Sequence, residues 1–196
     1  MKYLFIDTAT SNLIVSIIKD MEMIYCFNEE VKESSSKIMA VIDEAFNKTN
    51  IKPTDIDKIF VVNGPGSFTG IRVGLTLAKV MAWSLNIPLI PLSKLELLAT
   101  ISNSNKIMPM IDARRGYVYG GVYDNNLNVI YNDTHILKEE LLNKATDYEI
   151  VTEGLVDIIK IIKKHENDKP VNPHTLKPNY LKLTEAEEKL NDKVSN

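Results

Sequence analysis

The sequence predicts an α/β fold made of two lobes of one plan, the second shortened. Three observations carry that prediction. Residues 2–31 hold three β-type runs joined by short polar links, the spacing of antiparallel strands. The period then changes, and two helical patterns between residues 38 and 84 flank a continuous apolar run, as in the α-β units of a parallel sheet. A second set of strand-like runs begins at residue 107.

Residues 2–7, 12–19 and 23–31 read as strands because β-branched and aromatic residues dominate them. The links at 8–11 and 20–22 are short enough for hairpins. Ile38, Met39, Val41, Ile42, Ala45 and Phe46 fall at helical spacing, with Ser34, Ser35 and Ser36 available as caps. Ile59-Phe60-Val61-Val62 reads as a buried fourth strand, and residues 71–84 as a second helix. Residues 87–90 form a short fifth strand, and Ser93-Lys94-Leu95-Glu96 is a capping box opening a helix to about residue 101.

The second set gives strands at 107–112, 117–123 and 128–132, a helix at 138–145, a strand at 148–151 and a helix at 155–164. The tail from residue 167, with Pro170, Pro173 and Pro178, reads as irregular, then helical and charged at 185–190. The order β-β-β-α-β-α-β describes a ribonuclease-H-like lobe, the unit that the actin-like ATPase superfamily doubles. The expected division is 1–103 for the N-terminal lobe, 104–182 for the shortened C-terminal lobe and 183–196 for the charged tail.

Composition bounds the function. The 196 residues are 44% hydrophobic and 25% charged, an ordinary globular balance. A formal charge of -3 argues against stand-alone nucleic-acid binding, which needs a basic face. Cys26, the single cysteine, lies in an apolar run and is expected as a core thiol in a reducing compartment. Asp7 comes too early for a signal peptide, and no apolar run reaches the length of a membrane span, so a cytoplasmic protein is expected.

The most informative stretch is Asn63-Gly64-Pro65-Gly66-Ser67-Phe68-Thr69-Gly70-Ile71-Arg72-Val73-Gly74, set between a strand and a helix. Its backbone N–H groups could hold an anion. It lacks the lysine of a P-loop, the glycine spacing of a dinucleotide fold and the Gly-x-Ser-x-Gly of a nucleophile elbow. The simpler reading is a tight turn at Gly64-Pro65-Gly66, with Ser67 or Thr69 capping the helix.

Asp7-Thr8-Ala9-Thr10-Ser11 sits in the first hairpin turn. ATP-using members of the actin-like superfamily place an aspartate here, followed by glycine and hydroxyl residues that approach phosphates and a metal. Asp7, Thr8, Thr10, Gly66 and Ser67 are therefore the candidate nucleotide-binding residues. Thr8 stands where that pattern has glycine, and a side chain there crowds a phosphate. The alternative is an Asx- or ST-turn that merely closes the hairpin. His135, His165 and His174 are far apart and form no His-x-x-x-His. No metal, cofactor or catalytic residue is expected.

The second helix carries more apolar surface than one sheet can cover. Its apolar and small residues span roughly 220° of the helical wheel, where a sheet needs a stripe of about 100°. Met39 and Phe46 flank the first helix. The pair is expected to form an exposed apolar patch, and such patches mark protein interfaces. The candidate interface is Met39, Ile42, Phe46, Arg72, Leu75, Lys79, Val80 and Trp83.

Together with the glycine loop, Ile6-Asp7-Thr8-Ala9-Thr10, Asn86-Ile87-Pro88-Leu89-Ile90, Ile111-Asp112-Ala113-Arg114 and Pro178-Asn179-Tyr180-Leu181-Lys182 resemble the bacterial TsaB (YeaZ) family over nearly the whole chain. The resemblance implies a two-lobed protein with a degenerate active site. It implies a non-catalytic scaffold or activating subunit of the complex that forms N6-threonylcarbamoyladenosine at position 37 of tRNAs reading codons that begin with A. The implied partners are the catalytic subunit TsaD and the ATPase TsaE, with homodimers through the same helices when alone. tRNA would be met only within the complex. Two departures stand out: Ser34-Ser35 where the family commonly has His-Ser, and Ala40 where it has proline. The alternative reading is a small-molecule kinase or ATPase, motivated by Asp7 and the glycine loop.

Overall fold

The computed structural model describes residues 1–144 and 147–182. The tail from residue 183, with its expected helix at 185–190, lies outside the described residues. The chain runs β1 (Lys2–Asp7), β2 (Asn12–Lys19), β3 (Glu22–Glu30), α1 (Ser34–Thr49), β4 (Lys58–Gly64), α2 (Phe68–Ser84), β5 (Leu89–Ser93) and α3 (Lys94–Ala99). It continues β6 (Ile107–Asp112), β7 (Tyr117–Tyr123), β8 (Val129–Leu137), α4 (Lys138–Asn143), β9 (Glu149–Val151) and α5 (Ile158–His165).

The first sheet has the order β3-β2-β1-β4-β5. β1 and β2 pair antiparallel, as do β2 and β3, while β1-β4 and β4-β5 are parallel. The second sheet, β8-β7-β6-β9, repeats the first four positions of that plan and has no counterpart of β5 among the described residues. This is the expected doubled α/β plan with its second copy shortened.

Strand alternation divides the core into two layers. Leu4 and Ile6 of β1 and Ile59 and Val61 of β4 face α1 and α2. Tyr3, Phe5, Phe60 and Val62 face the other way, toward α3, α5 and Ile107, Tyr123 and Val151 of the second sheet. The expected boundary at residue 103 falls between α3 and β6, yet α5 returns to the first sheet through Ile158, Ile161 and Ile162. Tyr3 donates from its hydroxyl to Glu166 at 2.6 Å. A smaller cluster of Met108, Met110, Val118 and Leu141 fills the space between the second sheet and α4.

Three local expectations are corrected. β5 starts at Leu89, because the Ile87 N–H still bonds to Ala82 at the end of α2. β8 extends to Leu137, because it pairs with β7 along its length. Cys26 is exposed. β3 is an edge strand, and its Tyr25 and Phe27 pack on the helical layer; Cys26 points to the opposite face.

Candidate functional site

The turn after β1 and the loop after β4 are packed directly on each other. The Ser67 N–H donates to Ala9 O at 2.7 Å, and the Thr8 hydroxyl donates to Gly70 O at 2.7 Å. Ser67 caps α2 by accepting from the Gly70 N–H at 3.2 Å, as one of the two expected caps. The glycines serve this packing. A Cβ on Gly74 would lie 2.3 Å from the Thr8 hydroxyl oxygen. Gly64 has φ +126°, and a Cβ there would lie 2.2 Å from Asn179 O. These close approaches are to the chain itself, so this loop does not have the open backbone of a phosphate cradle.

Asp7 is fully buried. One carboxylate oxygen accepts from the Ala9 N–H at 2.9 Å, which is the Asx-turn closing the hairpin. The other accepts from the Lys94 ammonium at 2.6 Å. Lys94 is itself only 3% exposed. Asp7 and Thr8 therefore lie beneath the surface, which corrects their placement as ligand-touching residues. Thr10, Gly66 and Ser67 do line a cleft, of about 960 Å³, that also meets Ser34 and Arg114. A second cleft of about 530 Å³ continues from Thr10 and Asp112 to Lys94, Lys138 and Glu153.

The residues present do not fit a divalent metal at Asp7. Both of its oxygens are taken, one of them by a buried cation. No group of three or more His, Cys, Asp or Glu suited to a metal occurs among the described residues. Across the cleft Asp112 accepts from the Arg114 N–H at 3.1 Å, and Arg114 and Arg115 both have positive φ.

The proposed interface residues separate into three groups. Met39, Val80 and Trp83 are exposed, the last two at 54% and 65%. Ile42, Phe46 and Leu75 are buried, Leu75 at 2%, in the layer between the helices and the first sheet. Their placement on a surface patch is corrected: α1 and α2 use these positions against β1, β2 and β4. Arg72 and Lys79 bind the chain's own C-terminal segment. Arg72 Nε donates to the Tyr180 hydroxyl at 2.7 Å, and its guanidinium stacks 3.9 Å above the Phe68 ring. Lys79 Nζ donates to Leu176 O at 2.9 Å.

That segment is what sequence reasoning missed. Residues 167–182 cross back over the first sheet and α2 as a strap. The Val171 N–H donates to Leu89 O and the Asn179 N–H to Asn63 O. Val171 and Leu176 join the helical core layer, Tyr180 stacks on Phe68 with ring centroids 4.5 Å apart, and His174 meets Trp83 edge-on. The strap thus covers part of the apolar excess of α2. The apolar residues set between Pro170, Pro173 and Pro178 were its signal.

Two further polar clusters were not legible in sequence. His165 lies between Glu96, 2.9 Å from Nε2, and Asp168, 2.6 Å from Nδ1, with Lys164 3.5 Å from Glu96. Burial disfavours the imidazolium, but hydrogen bonds and charge from both carboxylates outweigh it, and the pKa is raised. Asp133 on β8 accepts from Ser93 and from Tyr123 and so ties the two sheets together. Burial raises the Asp133 pKa against the effect of those hydrogen bonds.

A family model described as TsaD: tRNA N6-adenosine threonylcarbamoyltransferase matches residues 28–177. The chain is 33% identical to the tRNA threonylcarbamoyladenosine biosynthesis protein TsaB of Bacillus subtilis (strain 168), over 96% of this chain and 97% of that one. Among solved structures it is similar to YeaZ from Pseudomonas aeruginosa, with a TM-score of 0.77 at 17% identity, covering 92% of this chain and 99% of that one. A protein of the same organism described as similar to peptidase YEAZ gives a TM-score of 0.80 at 17% identity, with the same coverage.

Proposed function

The chain belongs to the TsaB (YeaZ) family, within the wider family described by the TsaD model, and from that premise we propose that it is a non-catalytic subunit in tRNA threonylcarbamoyladenosine biosynthesis. In this reading it acts in the cytoplasm as a scaffold or activator that docks on a TsaD catalytic subunit and works with TsaE. It meets tRNA only through that assembly and self-associates through the same surface when alone. No helix among the described residues is long and apolar enough to cross a membrane.

The observation that carries the proposal is the outer face of α1 and α2. Met39, Val80 and Trp83 are exposed there, beside the half-buried Val73 and Leu77. A large aromatic residue left mostly in water, with His174 of the strap at its edge and Val80 alongside, suits the anchor of an interface. The site beneath supports the non-catalytic part of the reading, because Asp7 and the glycine loop are engaged with the chain itself. The kinase or ATPase alternative would need Asp7 free to face a ligand, and Mg-dependent ATP turnover by the purified monomer would establish it.

Light-scattering mass, for this chain alone and mixed with TsaD of the same genome, tests the proposal. We expect a dimer that exchanges into a heterodimer, and loss of both with Val80→Glu or Trp83→Glu while circular dichroism is unchanged. A monomer that ignores TsaD overturns it.

A further inference from the structure

We infer that Lys94 is the resident cation of the interlobe cleft, standing in for a divalent ion at Asp7 and making the cleft floor refuse one. The inference does not depend on which partner the α1–α2 face binds.

The geometry has three parts. Asp7 ends a core strand and is fully buried, so its carboxylate must be compensated within the protein. The backbone supplies one donor, from Ala9, and Lys94 supplies a full positive charge at 2.6 Å. Lys94 opens α3 directly after Ser93, whose hydroxyl caps that helix and also bonds to Asp133 of the second sheet. The ammonium is thus held from two sides: its backbone by the cap and the intersheet contact, its charge by Asp7.

Lys94 also lines the cleft of about 530 Å³. Only one of its three ammonium N–H donors is taken by Asp7. A hard divalent ion at this position would need several oxygen ligands. It would find one Asp7 oxygen accepting from the Ala9 N–H and the other in contact with the Lys94 ammonium, whose charge repels a cation. Of the two other carboxylates that line this cleft, Asp112 and Glu153, the first is itself turned to the Arg114 N–H. Any anion that enters the cleft meets the Lys94 side chain in place of an exchangeable metal.

The test is a Mn²⁺ titration followed by electron paramagnetic resonance, with a thermal melt at each point. It uses the full chain, Lys94→Met, and the neutral pair Asp7→Asn/Lys94→Met. We expect the full chain and the neutral pair to respond alike, with weak surface binding only. Lys94→Met should take up one additional Mn²⁺ per chain, held by the freed Asp7 oxygen with water as the remaining ligands, and melt several degrees higher with metal than without. If Lys94→Met is unfolded in chelator, recovery of its fold on adding Mn²⁺ is the same result. An ion bound by the full chain but not by the neutral pair overturns the inference. So does a Lys94→Met variant, folded or not, that never responds to Mn²⁺. None of these variants touches the α1–α2 face, so this test and the mass measurement with TsaD fail independently.

Discussion

Asp7 shows what a carboxylate at the end of a core strand requires. It is fully buried and is held by one backbone donor and one buried ammonium. Removing one partner of such a pair leaves the other charge uncompensated in the interior. Asp7→Ala is therefore expected to lose about 3–5 kcal/mol of stability in a urea titration, with much less lost by the neutral pair Asp7→Asn/Lys94→Met. Gly74 makes a complementary point. Its sequence context allowed an anion-holding loop beside the simpler tight turn, and its environment is the Thr8 side chain. Gly74→Ala forces overpacking and should cost about 1–3 kcal/mol, read by the same titration. A fully neutral outcome would mean that Thr8 can move aside.

His165 gives a prediction with a pH sign. Its folded-state pKa is raised above 6.5 by Glu96 and Asp168, against the effect of burial. A raised folded pKa means that the native state binds the proton more tightly. The contribution is complete below pH about 6.5 and is lost as pH rises through the higher folded value. The melting temperature of the wild type should therefore fall across that window relative to His165→Gln, whose profile should be flatter. Equal slopes in the two proteins would refute the assignment.

At the scale of the element, α2 shows how far periodicity carries. Its end at Ser84, its cap (Ser67, one of two candidates) and its over-wide apolar arc were legible, because capping chemistry and helical spacing are local properties, whereas its start at Phe68 lies three residues before the expected one. Which apolar residues face inward was not legible. Leu75 meets the sheet, whereas Val80, five residues on, is in water. Leu75→Arg buries an unpaired charge and should unfold the lobe, while Val80→Glu should leave the circular dichroism spectrum intact. The strands show the same division. β1, β2, β6 and β7 were read to the residue, since alternation and hairpin links define them. β8 was read five residues short, because a long edge strand with polar positions is held by its pairing with β7. Cys26 was misplaced for a related reason: an apolar run does not say that one face of an edge strand lacks a covering layer.

At the scale of the whole molecule, the strap and the intersheet contacts decide the shape of the site. Residues 167–182 return across α2 and place Asn179 over Gly64 and Tyr180 on Phe68 and Arg72. Tyr180→Ala removes the stack and the hydroxyl that accepts from Arg72. We expect faster proteolysis and hydrogen exchange confined to the strap, with the two sheets unchanged; uniform loosening would mean that the strap is part of the global core. The sequence by itself determined the doubled plan, the family, the turn at Asp7 and a cap for α2 at Ser67 or Thr69. Each is written in local spacing or in a contiguous motif. Only the tertiary structure decided that Lys94 neutralises Asp7, that Gly74 packs on the Thr8 side chain, and that the C-terminal strap covers part of α2. Those contacts join residues 87, 66 and 108 positions apart, and at such separations neither period nor propensity constrains which groups meet.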